Sequence, residues 1–415
     1  MVTHYHSAIF KLSTLDLVLS LTPRLPYTMF SMRNPALVSH SNGIFTRYSA
    51  STNGTNSDLQ NDLIAFLSVV QKCNVDFLPI TWQPALGILG KGGSATISQS
   101  TFTADKHLAF KRFHMDGNTG TEESDNDFLP LISEVLILSQ HPIKSHPNVV
   151  NLEGVCWEIK PRTEKAVPVL VFEKATWDLQ QFMNTSEGMN LSIDDRLKIC
   201  ADIGNAIMVL HDYGKSIELY FGFWKSNMDT GVIHGDIKPQ NVLVFKDDTG
   251  TTTVKMADFG YSTLTTNEAI AKLEGPTTDH TERVFLPKSR PWNAPEHHFG
   301  MFTAQEAKQT DVYSFGMLCL WVLFGSVRTP QNSTECMPEV VSFDAPTEAP
   351  TLLEKFKYED KMGHTANKLI DSMPAELNVE LRIRLKEVFS CTVLLNPERR
   401  TSDIGKVVHL FNKER

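Results

Sequence analysis

Apolar residues recur at helical spacing at Leu59, Leu63, Phe66, Leu67 and Val70, behind a capping-box pattern of Ser57 and Gln60. This predicts a helix that opens the ordered chain near Ser57 and docks on the domain that follows. Between 86 and 172 the period shortens: strand-like runs at 96–100, 107–113, 149–153 and 169–172 surround a single helical stretch at 128–140. From Trp177 onward the helical period dominates, with Leu197, Ala201, Gly204, Ile207 and Leu210 on one face and Ser192 with Asp195 as its cap. Two further strands, 242–245 and 254–257, flank the turn-forming Asp247-Asp248-Thr249-Gly250 and predict a hairpin. No internal repeat is visible. The order of elements predicts an α+β fold in two lobes, a small β-rich one at 81–173 and a larger helical one at 174–413. Residues 58–80 precede them as an N-terminal helical segment. Residues 1–57, rich in Ser, Asn, Thr and Gly from 31 onward, are read as a flexible extension.

Composition narrows the class. A chain of 415 residues accommodates a two-lobed enzyme of about 250–300 residues plus an extension. Its apolar share of 41% and charged share of 21% are ordinary for a globular protein. A net charge of −9 argues against nucleic-acid binding, which needs a basic face. The longest apolar run, 312–324, starts beside Asp311 and is too short for a bilayer, so it predicts a buried helix and no membrane span. Cysteines at 73, 156, 200, 319, 336 and 391 include no Cys-x-x-Cys pair, which fits reduced thiols in an intracellular, cytoplasmic protein. The sequons at Asn53, Asn184, Asn190 and Asn332 then carry no sugar. The first 57 residues hold Asp16 as their one acid against Lys11, Arg24, Arg33 and Arg47, a pattern weakly shared with organelle transit peptides; a plain flexible tail is the preferred reading.

The candidate chemistry lies at His234-Gly235-Asp236-Ile237-Lys238-Pro239-Gln240-Asn241, with Asp258-Phe259-Gly260 beyond the hairpin. A lone Asp-Phe-Gly is weak evidence, but the hairpin between the two motifs would set Asn241 and Asp258 beside one metal site. Together these residues resemble the catalytic loop and magnesium-binding motif of the eukaryotic protein kinases, with Asp236 as base and Asn241 and Asp258 as metal ligands. Upstream, Ala109-Phe110-Lys111 is similar to the strand whose lysine contacts the α- and β-phosphates, and Glu134 on the 128–140 helix matches that lysine's ion-pair partner. Gly90-Lys91-Gly92-Gly93-Ser94-Ala95 resembles the glycine-rich loop, where missing side chains let backbone amides approach phosphate.

The resemblance spans about 86–411 and implies a bilobal kinase fold, ATP and Mg2+ as cofactors, and protein substrates. It places the nucleotide against Leu86, Leu89, Gly90, Gly92, Gly93, Ile97, Ala109, Lys111 and Leu243, and against the hinge at Glu173 and Ala175, with a bulky Phe172 narrowing the pocket behind it. Ala294-Pro295-Glu296 is similar to the motif closing the activation segment, Arg400 to the arginine that pairs with its glutamate, and Asp311 to the aspartate that anchors the catalytic loop. Lys238 implies serine or threonine acceptors and would neutralise the transferring phosphate. Asn148–Cys156 with Thr310–Gly316 points to the tyrosine-kinase-like branch.

Three positions depart from the family. Ala95 replaces the third glycine, a change expected to weaken nucleotide affinity. Gly235 replaces the arginine that gathers a phosphorylated activation loop, which implies activity without that phosphorylation despite acceptors at Thr263, Thr265, Thr266, Thr277, Thr278 and Thr281. Segment 215–231 interrupts a junction that the family makes as a tight turn; removing it leaves an unbroken family sequence. Gly214-Lys215-Ser216 and Thr230-Gly231 can be encoded as splice donor and acceptor, so the segment is read as a translated intron. The alternative is a genuine insertion offering Tyr220, Phe221, Phe223 and Trp224 to a partner.

Two other functions stay open. A small-molecule phosphotransferase also carries His-Gly-Asp, but lacks the Lys238-Pro239 pairing and the Glu296–Arg400 closure. A pseudokinase scaffold would explain Gly235, Ala95 and the insertion, although every catalytic position is filled.

Overall fold

The opening helix forms as α1, Asn56–Lys72. A computed structural model of the protein describes residues 56–81, 86–91, 95–103, 106–113, 128–159, 166–213, 231–247, 249–265, 284–325, 352–373 and 378–412. The side chains of Ser57, Leu59 and Gln60 lie outside the described ones, as does residue range 1–55. Helix α1 buries Phe66, Val69 and Val70, with Leu63 and Leu67 half-buried beside them. Phe66 meets Phe128, just before helix α2 (Leu129–Leu138), at a centroid distance of 6.0 Å. The N-terminal segment therefore docks on the helix that carries Glu134.

That segment is not purely helical. Strand β1, Phe77–Thr81, joins the sheet of the small lobe in parallel beside β5, Leu152–Ile159. Val155 donates its backbone N–H to Asp76 at 2.9 Å, and the Phe77 ring stacks on Trp157 at 6.1 Å. Leu78 packs against Leu108, Phe110, Cys156, Val169 and Val171. The strand carries Pro79 at its middle, a residue tolerated only at a sheet edge, and five residues are too few to show a period. The boundary predicted at 80/81 accordingly cuts through β1.

The sheet continues with β2 (Leu86–Lys91), β3 (Ala95–Thr103), β4 (Lys106–Phe113) and β6 (Ala166–Glu173), in the order β1-β5-β6-β4-β3-β2. The strand expected at 149–153 is displaced to β5. Residues 148 and 150 instead give their backbone groups to Met256, with Val150 N–H donating to its carbonyl at 2.9 Å and Asn148 accepting at 2.8 Å. They tie the lobes at the hinge rather than extend the sheet.

The large lobe starts with β7 (Trp177–Asp178) and helices α3 (Leu179–Met183), α4 (Ser186–Met189) and α5 (Ile193–His211). The predicted Ser192–Asp195 capping box starts α5. Strands β8 (Gly231–Ile233), β9 (Val242–Lys246) and β10 (Thr252–Met256) follow. Strands β9 and β10 form the expected hairpin, Val244 opposite Val254, and Gly250 N–H closes the turn on the Asp247 carbonyl at 2.9 Å. Next come β11 (Thr263–Thr265), β12 (Val284–Phe285) and β13 (Met301–Phe302), then α6 (Ala304–Phe324), α7 (Leu352–Tyr358), α8 (Met362–Ser372), α9 (Val379–Thr392) and α10 (Ile404–Phe411). Helix α6 is buried nearly all round, as its apolar run implies. A Cβ on Gly204 would lie 2.5 Å from Val408 and 3.0 Å from Phe315, so the missing side chain lets α6 and α10 close on α5. No described helix is long and apolar enough to cross a membrane, and the described cysteines 73, 156, 200, 319 and 391 are free thiols.

Most of the interrupting segment, 215–230, lies outside the described residues together with Gly214, but Gly231 does not. It is the first residue of β8, paired with Thr265, and a Cβ there would sit 2.4 Å from the carbonyl oxygen of His211. The chain thus re-enters the fold against the residue two before Tyr213, and only glycine fits the entry point. Gly214 could take the same position, because excising 215–231 or 214–230 gives an identical product. Deleting 214–230 is therefore expected to leave Tm and ATP binding unchanged, the loop's closure cost growing only logarithmically with length. Thermal melts and nucleotide titration of the two chains check this, and an unfolded deletion chain would show the segment to be structural.

Candidate active site

Strand β8 delivers the chain into the loop 234–241, whose backbone is held from below. Asp311, buried on α6, accepts from His234 N–H at 2.8 Å and Gly235 N–H at 2.9 Å, while His211 Nε2 lies 3.0 Å from the same carboxylate. This is the anchoring expected of Asp311; the His211 contact had no local signal. His234 Nε2 lies 3.0 Å from the Ala257 carbonyl, and its ring packs on Phe259 at 5.1 Å. The loop and the Asp258-Phe259-Gly260 turn are thereby fastened together.

Asp236 presents a carboxylate gripped on both oxygens. Lys238 Nζ donates to Oδ2 at 2.6 Å, Asn241 Nδ2 to Oδ2 at 3.0 Å and to the backbone carbonyl at 2.8 Å, and Ser289 Oγ to Oδ1 at 2.5 Å. Charge-assisted bonds of this kind fix orientation as well as charge. Lys238 also reaches Ser289 Oγ at 3.3 Å. Sequence reasoning missed Ser289, which lies 53 positions from Asp236 in a segment without periodicity.

Lys111, on β4, donates to Glu134 on α2 at 2.9 and 2.7 Å and to Asp258 at 2.7 Å. The expected ion pair forms, with a third partner. Burial alone would lower the lysine's pKa, but the charges of Asp258 and Glu134 lift it above the ordinary lysine range. Burial would likewise raise Asp258, yet the Lys111 charge and hydrogen bond, with His234 and Lys238 behind them, hold it below the usual carboxylate value. Burial pushes Glu134 up, Lys111 opposes this, and the Asp258 charge adds to it. Lys111 is thus the charge that keeps two neighbouring carboxylates together. Asp258 adopts φ +64°, a left-handed backbone that Asp tolerates, and keeps a third of its side chain (33%) exposed.

The donor set suits a hard cation. Asn241 commits its amide nitrogen to Asp236, which leaves its oxygen for coordination, and one Asp258 oxygen is not held by Lys111. Two oxygen donors leave the rest of a magnesium shell to phosphate and water. Ile97 on β3, the buried Ala109 on β4 and the half-buried Leu243 on β9 stand on the strands expected to flank a nucleotide base. Ile97 pairs in register with Lys111, and Gly90 on β2 with Ile97; Leu89 is on the same strand as Gly90. Gly92 and Gly93 lie outside the described residues, as do the side chains of Leu86 and Leu89. Ala95 begins β3 and is buried, as is Phe172 beside the hinge. Glu173 spends its carboxylate elsewhere, on Lys255 at 2.7 and 2.9 Å and on Asn151 N–H at 2.8 Å, so it can meet a nucleotide only through its backbone. Ala175, two residues on, is half-buried.

Behind the site, Arg400 pairs with Glu296 at 2.5 and 2.9 Å in a bidentate, buried arrangement over the Tyr313 ring, as expected for the closing motif. The family model described as "Protein kinase domain" matches residues 85–393. The chain belongs to the protein kinase family. Among relatives, this protein kinase is 26% identical over 349 residues to the putative wall-associated receptor kinase-like 16 of Arabidopsis thaliana, covering 81% of this chain and 67% of the relative. It is 26% identical over 335 residues to the probable serine/threonine-protein kinase PBL10 of the same plant, covering 77% and 68%. Wall-associated receptor kinase 4, also from Arabidopsis thaliana, matches at 27% over 262 residues, but the match takes in only 29% of its length. These relatives agree with a place in the tyrosine-kinase-like branch.

Proposed function

We propose that this protein kinase is catalytically active and transfers the γ-phosphoryl group of ATP to serine or threonine hydroxyls of protein substrates. The observation that carries the proposal is the Lys111 ammonium held simultaneously by Glu134 and Asp258, because that three-residue bridge joins the small lobe to the metal-binding turn. Magnesium, when bound with ATP, neutralises the developing phosphate charge. Asp258 and Asn241 would hold it. Lys111 orients the α- and β-phosphates, and Glu134 keeps that ammonium in place. Asp236 accepts the acceptor's proton as the new oxygen–phosphorus bond forms and the bond to the β-phosphate bridging oxygen breaks. Lys238, 2.6 Å from Asp236, faces the same charge, and its resemblance to the lysine of serine/threonine kinases supports a serine or threonine acceptor. The named serine/threonine relative supports that choice.

The test is phosphate transfer from ATP and magnesium to a generic protein acceptor, read on serine and threonine and compared with Asp258→Asn. Nucleotide binding without transfer would favour a scaffold, and transfer to small-molecule acceptors alone would favour the small-molecule phosphotransferase.

Activity should also be independent of activation-loop phosphate. Gly235 has φ +78°, and a Cβ there would lie 2.9 Å from Leu286 Cδ2. Leu286 is buried with Ile233, Val284, Phe302 and Ala307, so apolar packing fills the space from which the family's arginine would emerge. Strand β12 is meanwhile paired with β13. Thr266, Thr277, Thr278 and Thr281 lie outside the described residues. Phosphatase-treated and untreated protein are expected to turn over equally; a large loss on treatment would sink the idea.

A further inference from the structure

We propose that Lys288 and Arg290 make this kinase select acceptors flanked by aspartate or glutamate, a specificity that rests on the protein-kinase reading and deepens it. The two cations bracket Ser289, whose hydroxyl donates to the Asp236 carboxylate at 2.5 Å and accepts from Lys238 at 3.3 Å. A substrate hydroxyl presented to Asp236 must therefore pass directly beside residue 289. Both Lys288 and Arg290 are exposed, and neither has a carboxylate partner among the described residues.

Their positions are set by a rigid turn. The Ser289 carbonyl accepts from Trp292 N–H at 2.8 Å and Asn293 N–H at 3.0 Å. From beneath, the buried Lys357 donates to the Pro291 carbonyl at 2.8 Å and to Glu354 at 3.2 Å. A preformed turn fixes the backbone that carries the two cations before substrate arrives, so the ordering entropy spent on binding is confined to their side chains. An extended peptide advances about 3.4 Å per residue, and lysine and arginine side chains are long enough to reach the one or two residues flanking an acceptor. The chain as a whole carries −9, so its long-range field does not draw in acidic substrates. Selection must come from local contact, and it should weaken as salt screens it.

The experiment uses the full chain and peptides with one serine in a neutral background, carrying Asp, Ala or Lys at each position flanking the acceptor. kcat/KM is measured, and binding is measured separately by fluorescence anisotropy on versions in which the serine is alanine. At low salt the Asp peptides are expected to exceed the Ala peptides by about tenfold in both readouts, as an interaction of about 1.4 kcal/mol implies. Lys peptides should rank last. Lys288→Glu and Arg290→Glu should reverse the ranking and Arg290→Lys should keep it, whereas a merely structural role would weaken all peptides alike. Equal ratios for Asp, Ala and Lys peptides in the unmodified chain, no peptide binding at all, or an unchanged ranking in the reversal variants overturns the proposal. Selective binding of acidic peptides without phosphate transfer would sink the kinase reading and leave the acidic selectivity standing.

Discussion

Asp258→Asn should reduce phosphate transfer by about 10³-fold or more while leaving the protein folded, the scale expected when a charged, preorganised transition-state contact is lost. The substitution keeps shape and backbone. Asparagine tolerates the left-handed φ of +64°, and Lys111 retains both contacts to Glu134. What disappears is the negative charge that, in the proposed function, would hold magnesium. The variant should also show altered acid behaviour. Asp258 titrates below its ordinary value in the folded protein, so it contributes stability that is present above the unfolded carboxyl value, near pH 4, and is lost as pH falls through the lower folded value. Asp258→Asn should lack that part of the acid-side decline. Steady-state turnover and Tm between pH 3 and 7 read both effects, and transfer near the wild-type rate would rule out Asp258 as the proposed metal ligand.

Arg400→Met is expected to cost about 3–5 kcal/mol of stability, the range for breaking a buried ion pair from one side. The guanidinium satisfies five acceptors: both oxygens of Glu296 and the carbonyls of Gln309, Leu394 and Leu395, at 2.5 to 3.2 Å. Its charge also sits 4.7 Å over the Tyr313 ring. Methionine fills much of the volume but leaves the Glu296 carboxylate buried without its cation. The double change Arg400→Met with Glu296→Leu should recover a large part of the loss, since an apolar pair carries no desolvation penalty. Urea denaturation of the wild type, both single variants and the double variant measures the coupling. Additive losses would show that the pair contributes nothing beyond packing.

Much of the site was legible because its residues lie in short, ordered motifs. Asp236, Lys238 and Asn241 fall within one loop, and Asp258 follows a hairpin whose strands and turn have their own local signals. Lys111–Glu134 and Glu296–Arg400 were predictable as pairs from the family order, and both form. Less legible were contacts made by isolated residues. Ser289 on the Asp236 carboxylate and His211 on Asp311 depend on chain segments brought together from 53 and 100 positions away. Strand β1 was hidden by its length and by Pro79.

The hydrophobic pattern and motif order by themselves determined the two-lobed class, the hairpin, the opening helix and the candidate residues for phosphate transfer, because periodicity, turn chemistry and short motifs act over a few neighbouring residues. Only the tertiary structure decided that β1 completes the small lobe's sheet, that Lys111 bridges two carboxylates rather than one, that Glu173 turns its side chain toward Lys255, and that Gly231 belongs to the fold. Each of these is a competition among distant groups for one partner or one space. Burial, charge and close packing settle such competitions after the chain has folded back on itself.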